Sequence, residues 1–158
     1  MASVLHRTFV DRVNDAIITA LLRTGIRLGT AALLTVRGRK SGQPHTVPVL
    51  PVEQGGQRWL VAPYGEVQWV RNIRAAGTAT LTRGRHSETI TVTELSAQEA
   101  APILKRYLVV QHAADVQSSF AATKDSPLEA FEHEAVRHPV FKITTVKELP
   151  DSAKIEGD

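Results

Sequence analysis

The run Thr35-Val36-Arg37-Gly38-Arg39-Lys40-Ser41-Gly42-Gln43-Pro44-His45-Thr46-Val47-Pro48 decides how this chain is read. It starts inside a short apolar, partly β-branched stretch, residues 31–36, which reads as a first strand. Two glycines and a proline then break the pattern amid Arg37, Arg39, Lys40 and Ser41, which is the composition of a basic turn. A second strand is expected over residues 45–52. Pro48 and Pro51 within it lack a donor N–H, so this strand belongs at a sheet edge or carries a bulge.

Downstream, Gln54-Gly55-Gly56 closes another hairpin into a strand over residues 58–62. The period then changes: Val67, Val70 and Ile73, with Trp69 and Ala76, suit a short helix ending at Gly77. Residues 78–82 and 88–95 alternate as two strands joined by Arg83-Gly84-Arg85-His86-Ser87. Ser96-x-x-Glu99 is a capping-box pattern opening a helix that carries Ile103, Leu104, Tyr107 and Leu108. Pro127 suits the first turn of another helix reaching about residue 138, and a last strand covers residues 140–145. Upstream, Leu5, Phe9, Val13, Ile17 and Leu21 recur every four residues. Such an amphipathic helix could pack on the barrel, meet a second copy or lie on a membrane surface. The expectation is an α+β fold, a barrel of about six strands with an N-terminal amphipathic helix and C-terminal helices. It is one domain over residues 1–158: helix 1–25, barrel core 31–146 and polar tail 147–158.

Composition narrows the function classes. The net charge of +3 is too small, and aromatics at 5% too sparse, to argue for nucleic acid. The same excess suits a small acidic ligand if the basic residues cluster. With no cysteine, disulfides, iron–sulfur clusters and thiolate chemistry are excluded. The histidines form no His-Glu-x-x-His pattern, so no metal site is expected. No apolar run of about 18 residues could span a bilayer, and the start lacks a secretory pattern. The expected location is the cytoplasm, with membrane association through the N-terminal helix left open.

Two segments can carry chemistry. In Arg37-Gly38-Arg39-Lys40-Ser41-Gly42-Gln43 the glycines let backbone amides approach an anion. Arg39 offers a planar fork for phosphate, Lys40 a mobile point charge and Ser41 a hydroxyl. A solvated surface turn would have the same composition. The segment does not match the phosphate loop Gly-x-x-x-x-Gly-Lys-Ser/Thr, and it joins strands rather than preceding a helix. In Ala62-Pro63-Tyr64-Gly65-Glu66-Val67-Gln68-Trp69-Val70-Arg71-Asn72 a strand ends and a helix begins with its amides free, where a phosphate or ring carbonyl can sit. Asn72 lies three positions after Trp69 on one helical face, placed to read a polar ligand edge. Arg71, Arg74, Arg83, Arg85 and His86 could form a second basic rim or be ordinary solvated surface.

Taken together, “TVRGRKSGQPHTVP” and “VAPYGEVQWVRNIRAAG” resemble the deazaflavin-dependent nitroreductase family, also described as coenzyme F-420-dependent quinone reductases of actinobacteria. “SPLEAFEHEAVRHPVFKI” fits the resemblance too, which runs over residues 31–146. It implies a split β-barrel of the kind FMN-binding oxidases use, and hydride transfer from reduced deazaflavin to a small electron-poor acceptor: a quinone, an activated enone or a nitroarene. On that comparison Arg39, Lys40, Ser41, Gly42 and Gln43 match the loop holding the cofactor phosphate, and His45 a contact to its anionic tail. Ala62, Pro63 and Tyr64 match the strand end beside the deazaflavin ring. Val67, Gln68, Trp69 and Asn72 match the helix start closing over it. Tyr64 is the leading candidate for proton donor to a nascent oxyanion, with ring packing as its other role; His112 is a weaker one.

The chain departs from the prodrug-activating members in a shorter loop between Ala62 and Trp69. It also lacks their tyrosine-rich substrate helix, offering Tyr107, His112 and Phe120 instead. The alternatives are an FMN-dependent oxidase or reductase on the same barrel, and a non-catalytic deazaflavin- or lipid-binding protein, as monomer or homodimer.

Overall fold

The strands are β1 (Ala32–Arg37), β2 (Pro44–Val49), β3 (Val52–Gln54), β4 (Gln57–Val61), β5 (Thr78–Arg83), β6 (His86–Glu94) and β7 (Val140–Glu148). The helices are α1 (Gln68–Ala76), α2 (Ala97–Val110), α3 (Ala114–Ser119) and α4 (Leu128–Glu134). The computed structural model describes residues 31–111 and 114–148. The helix expected over residues 1–25, His112 and the tail from residue 149 lie outside them. No helix among the described residues is long and apolar enough to cross a membrane.

All strand pairs are antiparallel, and they form one curled sheet in the order β2-β1-β5-β6-β7-β4-β3. The two edge strands are consecutive in sequence, separated only by Leu50 and Pro51. The single strand expected over residues 45–52 thus breaks at Pro51 and passes from one edge of the sheet to the other. That crossing joins the ends of the curl and makes a split barrel, with seven strands among the described residues where about six were expected. Each proline is where its missing N–H is tolerated: Pro48 lies in edge strand β2, opposite Leu33, and Pro51 lies at the break.

Strand alternation divides the apolar residues between two cores. Leu34, Leu60, Ile90 and Phe141 fill the barrel side, with Val70 and Ile73 of α1 packed against them. Trp59, Tyr107, Leu108, Phe120 and Phe131 fill the side covered by the C-terminal helices. Neighbouring residues of β4 therefore serve opposite cores, Trp59 and Val61 one and Leu60 the other, as a period of two requires. Each fully buried Leu or Phe contributes roughly 1.5–3 kcal/mol of apolar transfer.

Helix ends follow their sequence signals. α1 stops where Gly77 adopts φ 73° and returns its N–H to the Ile73 carbonyl at 2.7 Å. α2 opens with the expected capping box, in which Ser96 Oγ accepts the Glu99 amide and Glu99 Oε1 accepts the Ser96 amide. α4 ends at Glu134, short of residue 138. α3 has no counterpart in the sequence reading, because Val116 alone of its residues is buried and no apolar period marks it.

Candidate functional site

The β1–β2 turn is closed by its own backbone. The Gly38 amide donates to the Gln43 carbonyl at 2.8 Å, and the Gly42 amide to the Gly38 carbonyl at 2.9 Å. Gly42 sits at φ 71°. Gly38 is required for a different reason: a Cβ there would lie 2.8 Å from both Ser41 Oγ and His45 Nε2. Only glycine lets those two polar side chains converge over the turn.

Asn72 ties this turn to α1. Its side chain is 4% exposed, and its Oδ1 accepts the Arg39 backbone amide at 3.2 Å and Arg39 Nη1 at 2.7 Å. Arg39 Nη1 also donates to Gln68 Oε1 at 3.0 Å. The guanidinium is held by one of its nitrogens, and its Nε and Nη2 donors have no partner among the described residues. The same is true of the Lys40 and Ser41 amides. Several fixed donors without acceptors, in one turn, are what an anion needs.

The turn and α1 bound a cavity of about 490 Å³ lined by Val36, Gly38, Arg39, Lys40, Ser41, His45, Thr46, Val47, Gln68, Trp69 and Asn72. That size lies within the usual range for small-molecule sites. Its polar side has no carboxylate. Val36, Val47 and Trp69 supply the apolar side, and the Trp69 ring leans on Phe141 with centroids 6.0 Å apart.

Seven of the residues read from the sequence therefore come together: Arg39, Lys40, Ser41, His45, Gln68, Trp69 and Asn72. Gly42 and Gln43 shape the turn through their backbones. Val67 precedes α1, accepting the Val70 and Arg71 amides on its carbonyl at 3.1 and 3.3 Å. Ala62, Pro63 and Tyr64 form the next turn and do not line the cavity. Tyr64 is 52% exposed, and its hydroxyl donates to Asp115 Oδ2 of α3 at 2.5 Å. The reading missed Val36, Thr46 and Val47, whereas Gly38 lines the cavity as one of the two glycines expected to let the backbone approach a ligand. The inward alternation of the two flanking strands was the signal for the two valines.

Elsewhere, two cations of the suggested second rim, Arg74 and Arg83, are matched by acids. Arg74 bonds Glu94 at 2.7 and 2.9 Å and Glu66 at 2.8 Å. Those bonds raise its pKa and lower that of Glu66. Arg83 pairs with Glu53 at 2.6 Å. Tyr107 and Phe120 are core residues with rings 6.4 Å apart, and burial pushes the Tyr107 phenol up to about 12.

A family model described as F-420H(2)-dependent quinone reductase matches residues 6–128. The chain belongs to this family. A search of curated proteins finds no match. Among solved structures, one described as a domain-swapped dimer is 21% identical, covering 91% of this chain and 100% of that one at a TM-score of 0.53. An F-420-H2-dependent reductase (FDR-A) is 24% identical, covering 75% and 98% at 0.52. General stress protein 26 of Bacillus anthracis is 8% identical, covering 81% and 88% at 0.50. At these identities the likeness shows the fold, a split β-barrel. Family membership makes this protein an F-420-dependent reductase, with coenzyme F-420 as its cofactor. The cavity suits such a group: an acid-free cluster of donors for phosphate beside an apolar wall for a flat ring.

Proposed function

We propose that this F-420-dependent reductase transfers a hydride to a quinone, an activated enone or a nitroarene, and that the β1–β2 turn with α1 holds the coenzyme. The observation that supports this reading most is the arrangement of Arg39 between Asn72 and Gln68 over a cavity without a carboxylate. Arg39, Lys40, Ser41, Gly42 and Gln43 take the phosphate, and His45 faces the anionic tail. Gln68, Trp69 and Asn72 border the ring within the cavity, and Ala62, Pro63, Tyr64 and Val67, which do not line it, border the ring where it extends beyond. The apolar stripe of residues 5–21 offers a membrane contact suited to a lipophilic quinone, or a contact with a second copy.

When bound, the reduced coenzyme supplies a hydride from C5 of its deazaflavin. The chain's part is orientation and charge. Arg39 is pre-set by its two helix contacts, so little freedom is lost when its remaining donors meet phosphate. Lys40 adds charge that no acid among the described residues cancels. An acceptor that takes a hydride at one atom develops an oxyanion at another, and Tyr64 is the hydroxyl placed to donate to it. To do so it exchanges its bond with Asp115 for one to the acceptor.

A titration tests the reading. Coenzyme F-420 should bind more tightly than FMN, with an affinity that falls as salt rises. Lys40→Ala should weaken it by roughly 1–3 kcal/mol at little cost in folding stability. Equal affinity for FMN, or unchanged affinity in a folded Lys40→Ala protein, would reject the placement of the phosphate.

A further inference from the structure

The turn that carries Tyr64 rests on the segment just after α4. The Ala62 amide donates to the Pro139 carbonyl at 3.0 Å, and the Gly65 amide closes the turn onto the Ala62 carbonyl at 3.3 Å. Gly65, at φ 88°, lies so close that a Cβ would stand 3.2 Å from the Arg137 carbonyl. The Ala62 carbonyl has a second partner, His138 Nδ1, at 3.3 Å. The imidazole is 4% exposed and stacks on Phe120 with centroids 3.9 Å apart.

A carbonyl can only accept, so this contact requires hydrogen on Nδ1. Glu134 stands on the other side of the ring, its Oε2 3.3 Å from His138 Nε2. Glu134 is itself immobilised: its side chain is 2% exposed, and Oε1 accepts the Ala121 and Ala122 amides at 2.7 and 2.9 Å and Arg137 Nη2 at 3.3 Å. One buried acid thus fixes the loop after α3 and lies against the edge of the imidazole without a hydrogen bond to it. The Ala62 carbonyl sets the tautomer, and its bond together with the Phe120 stack sets the ring's orientation. Nothing in the proposed hydride chemistry uses His138 or Glu134.

We propose that His138 is a positioning residue for the reductase: oriented by its stack on Phe120, it holds the Ala62 carbonyl and so sets the turn that presents Tyr64 beside the cofactor ring. The proposal rests on the reading that this turn borders the ring. Its own content is the mechanical link from α4 to the end of β4, which exists without cofactor. The loop after α3 hangs on Glu134, and Tyr64 bonds Asp115 of α3, so the turn is gripped from two directions by the C-terminal helices.

Two substitutions separate positioning from packing. His138→Phe keeps a ring against Phe120 and removes the donor, whereas His138→Gln restores a donor near Ala62. In the cofactor-free protein, His138→Phe should speed hydrogen exchange of the Gly65 amide about tenfold, with His138→Gln within about threefold of wild type. In titrations with oxidised coenzyme F-420, His138→Phe should weaken binding about five- to tenfold, again with partial rescue by Gln. Equal exchange rates in all three proteins, or equal defects in Phe and Gln, would overturn the positioning role. If exchange responds as expected while binding does not, His138 sets the turn, and the placement of that turn beside the ring is what fails.

Discussion

The turns that follow β1 and β4 are both short and glycine-bearing, the first tied to α1 by side chains and the second running into it, yet they are held differently. The first is closed by two of its own backbone hydrogen bonds and tied to α1 through Arg39 and Asn72, two side chains of one compact neighbourhood. The second has two bonds of its own as well, Gly65 to Ala62 at 3.3 Å and Val67 to Gly65 at 2.9 Å, and is further held by Asp115, His138 and Pro139 of the C-terminal third. A turn that must meet phosphate gains from being rigid before the ligand arrives. A turn beside the acceptor can be tuned by whatever helices the chain packs against it. Under the proposed function, the first turn meets the coenzyme's phosphate, and the second borders its ring and the acceptor.

Breaking that division should be easiest at Tyr64. Tyr64→Phe removes one hydroxyl and keeps the ring. If the hydroxyl stabilises or protonates the nascent oxyanion, turnover with menadione should fall on the order of 10²-fold while coenzyme affinity barely moves. Asp115→Asn leaves the hydroxyl in place with a weaker partner, so it should cost much less. Near-normal turnover in Tyr64→Phe would reduce Tyr64 to ring packing. A wild-type protein that binds the coenzyme but reduces none of a broad set of quinones, enones and nitroarenes would favour a carrier.

The opposite pattern is expected at the first turn. Asn72→Ala strands the Arg39 amide and lets its guanidinium wander. Coenzyme binding should weaken by about 1–2 kcal/mol, close to tenfold. The acceptor's KM should stay as it was. A change in acceptor KM as large as the loss in cofactor affinity would show that the two turns act as one site.

The same contrast explains what could be read from sequence. The first turn announces itself within ten residues, because glycines, a fork-shaped cation and a hydroxyl in that order constrain one another locally. Asn72 was found by helical spacing from Trp69. Gly77, the Ser96–Glu99 box and the prolines of the broken strand were legible on the same ground: each satisfies or forgoes a backbone hydrogen bond close by. The passage of that strand between sheet edges was not, since Pro51 marks a break but not where the chain goes next. Glu134 and His138 were hidden inside what reads as a helix end. Their partners, at Ala62, Ala121 and Ala122, are backbone atoms that no side-chain pattern reveals, 12 to 76 positions away. Asp115 was hidden with α3, whose apolar face is one residue.

The smallest effect, and the one that isolates the second turn's support, is a pH dependence of stability. Burial lowers the His138 pKa from its ordinary 6.5; the Ala62 carbonyl and then Glu134 oppose it without cancelling it, Arg137 adds a little to it, and the Ser119 backbone opposes it least. The unfolded chain therefore takes up a proton at a pH where the folded protein still holds a neutral imidazole. Stability linked to His138 is complete above pH 6.5 and is lost as pH falls from there through the lower folded value. For one proton the slope cannot exceed about 1.4 kcal/mol per pH unit. His138→Gln cannot titrate, while every other ionisable group is common to both proteins. The difference in urea midpoint between wild type and His138→Gln should hold steady between pH 7 and 8, then shift against wild type as pH drops below 6.5. A difference that stays level through that range would mean that His138 is as easily protonated folded as unfolded, which the 3.9 Å stack on Phe120 and its burial under β4 do not allow.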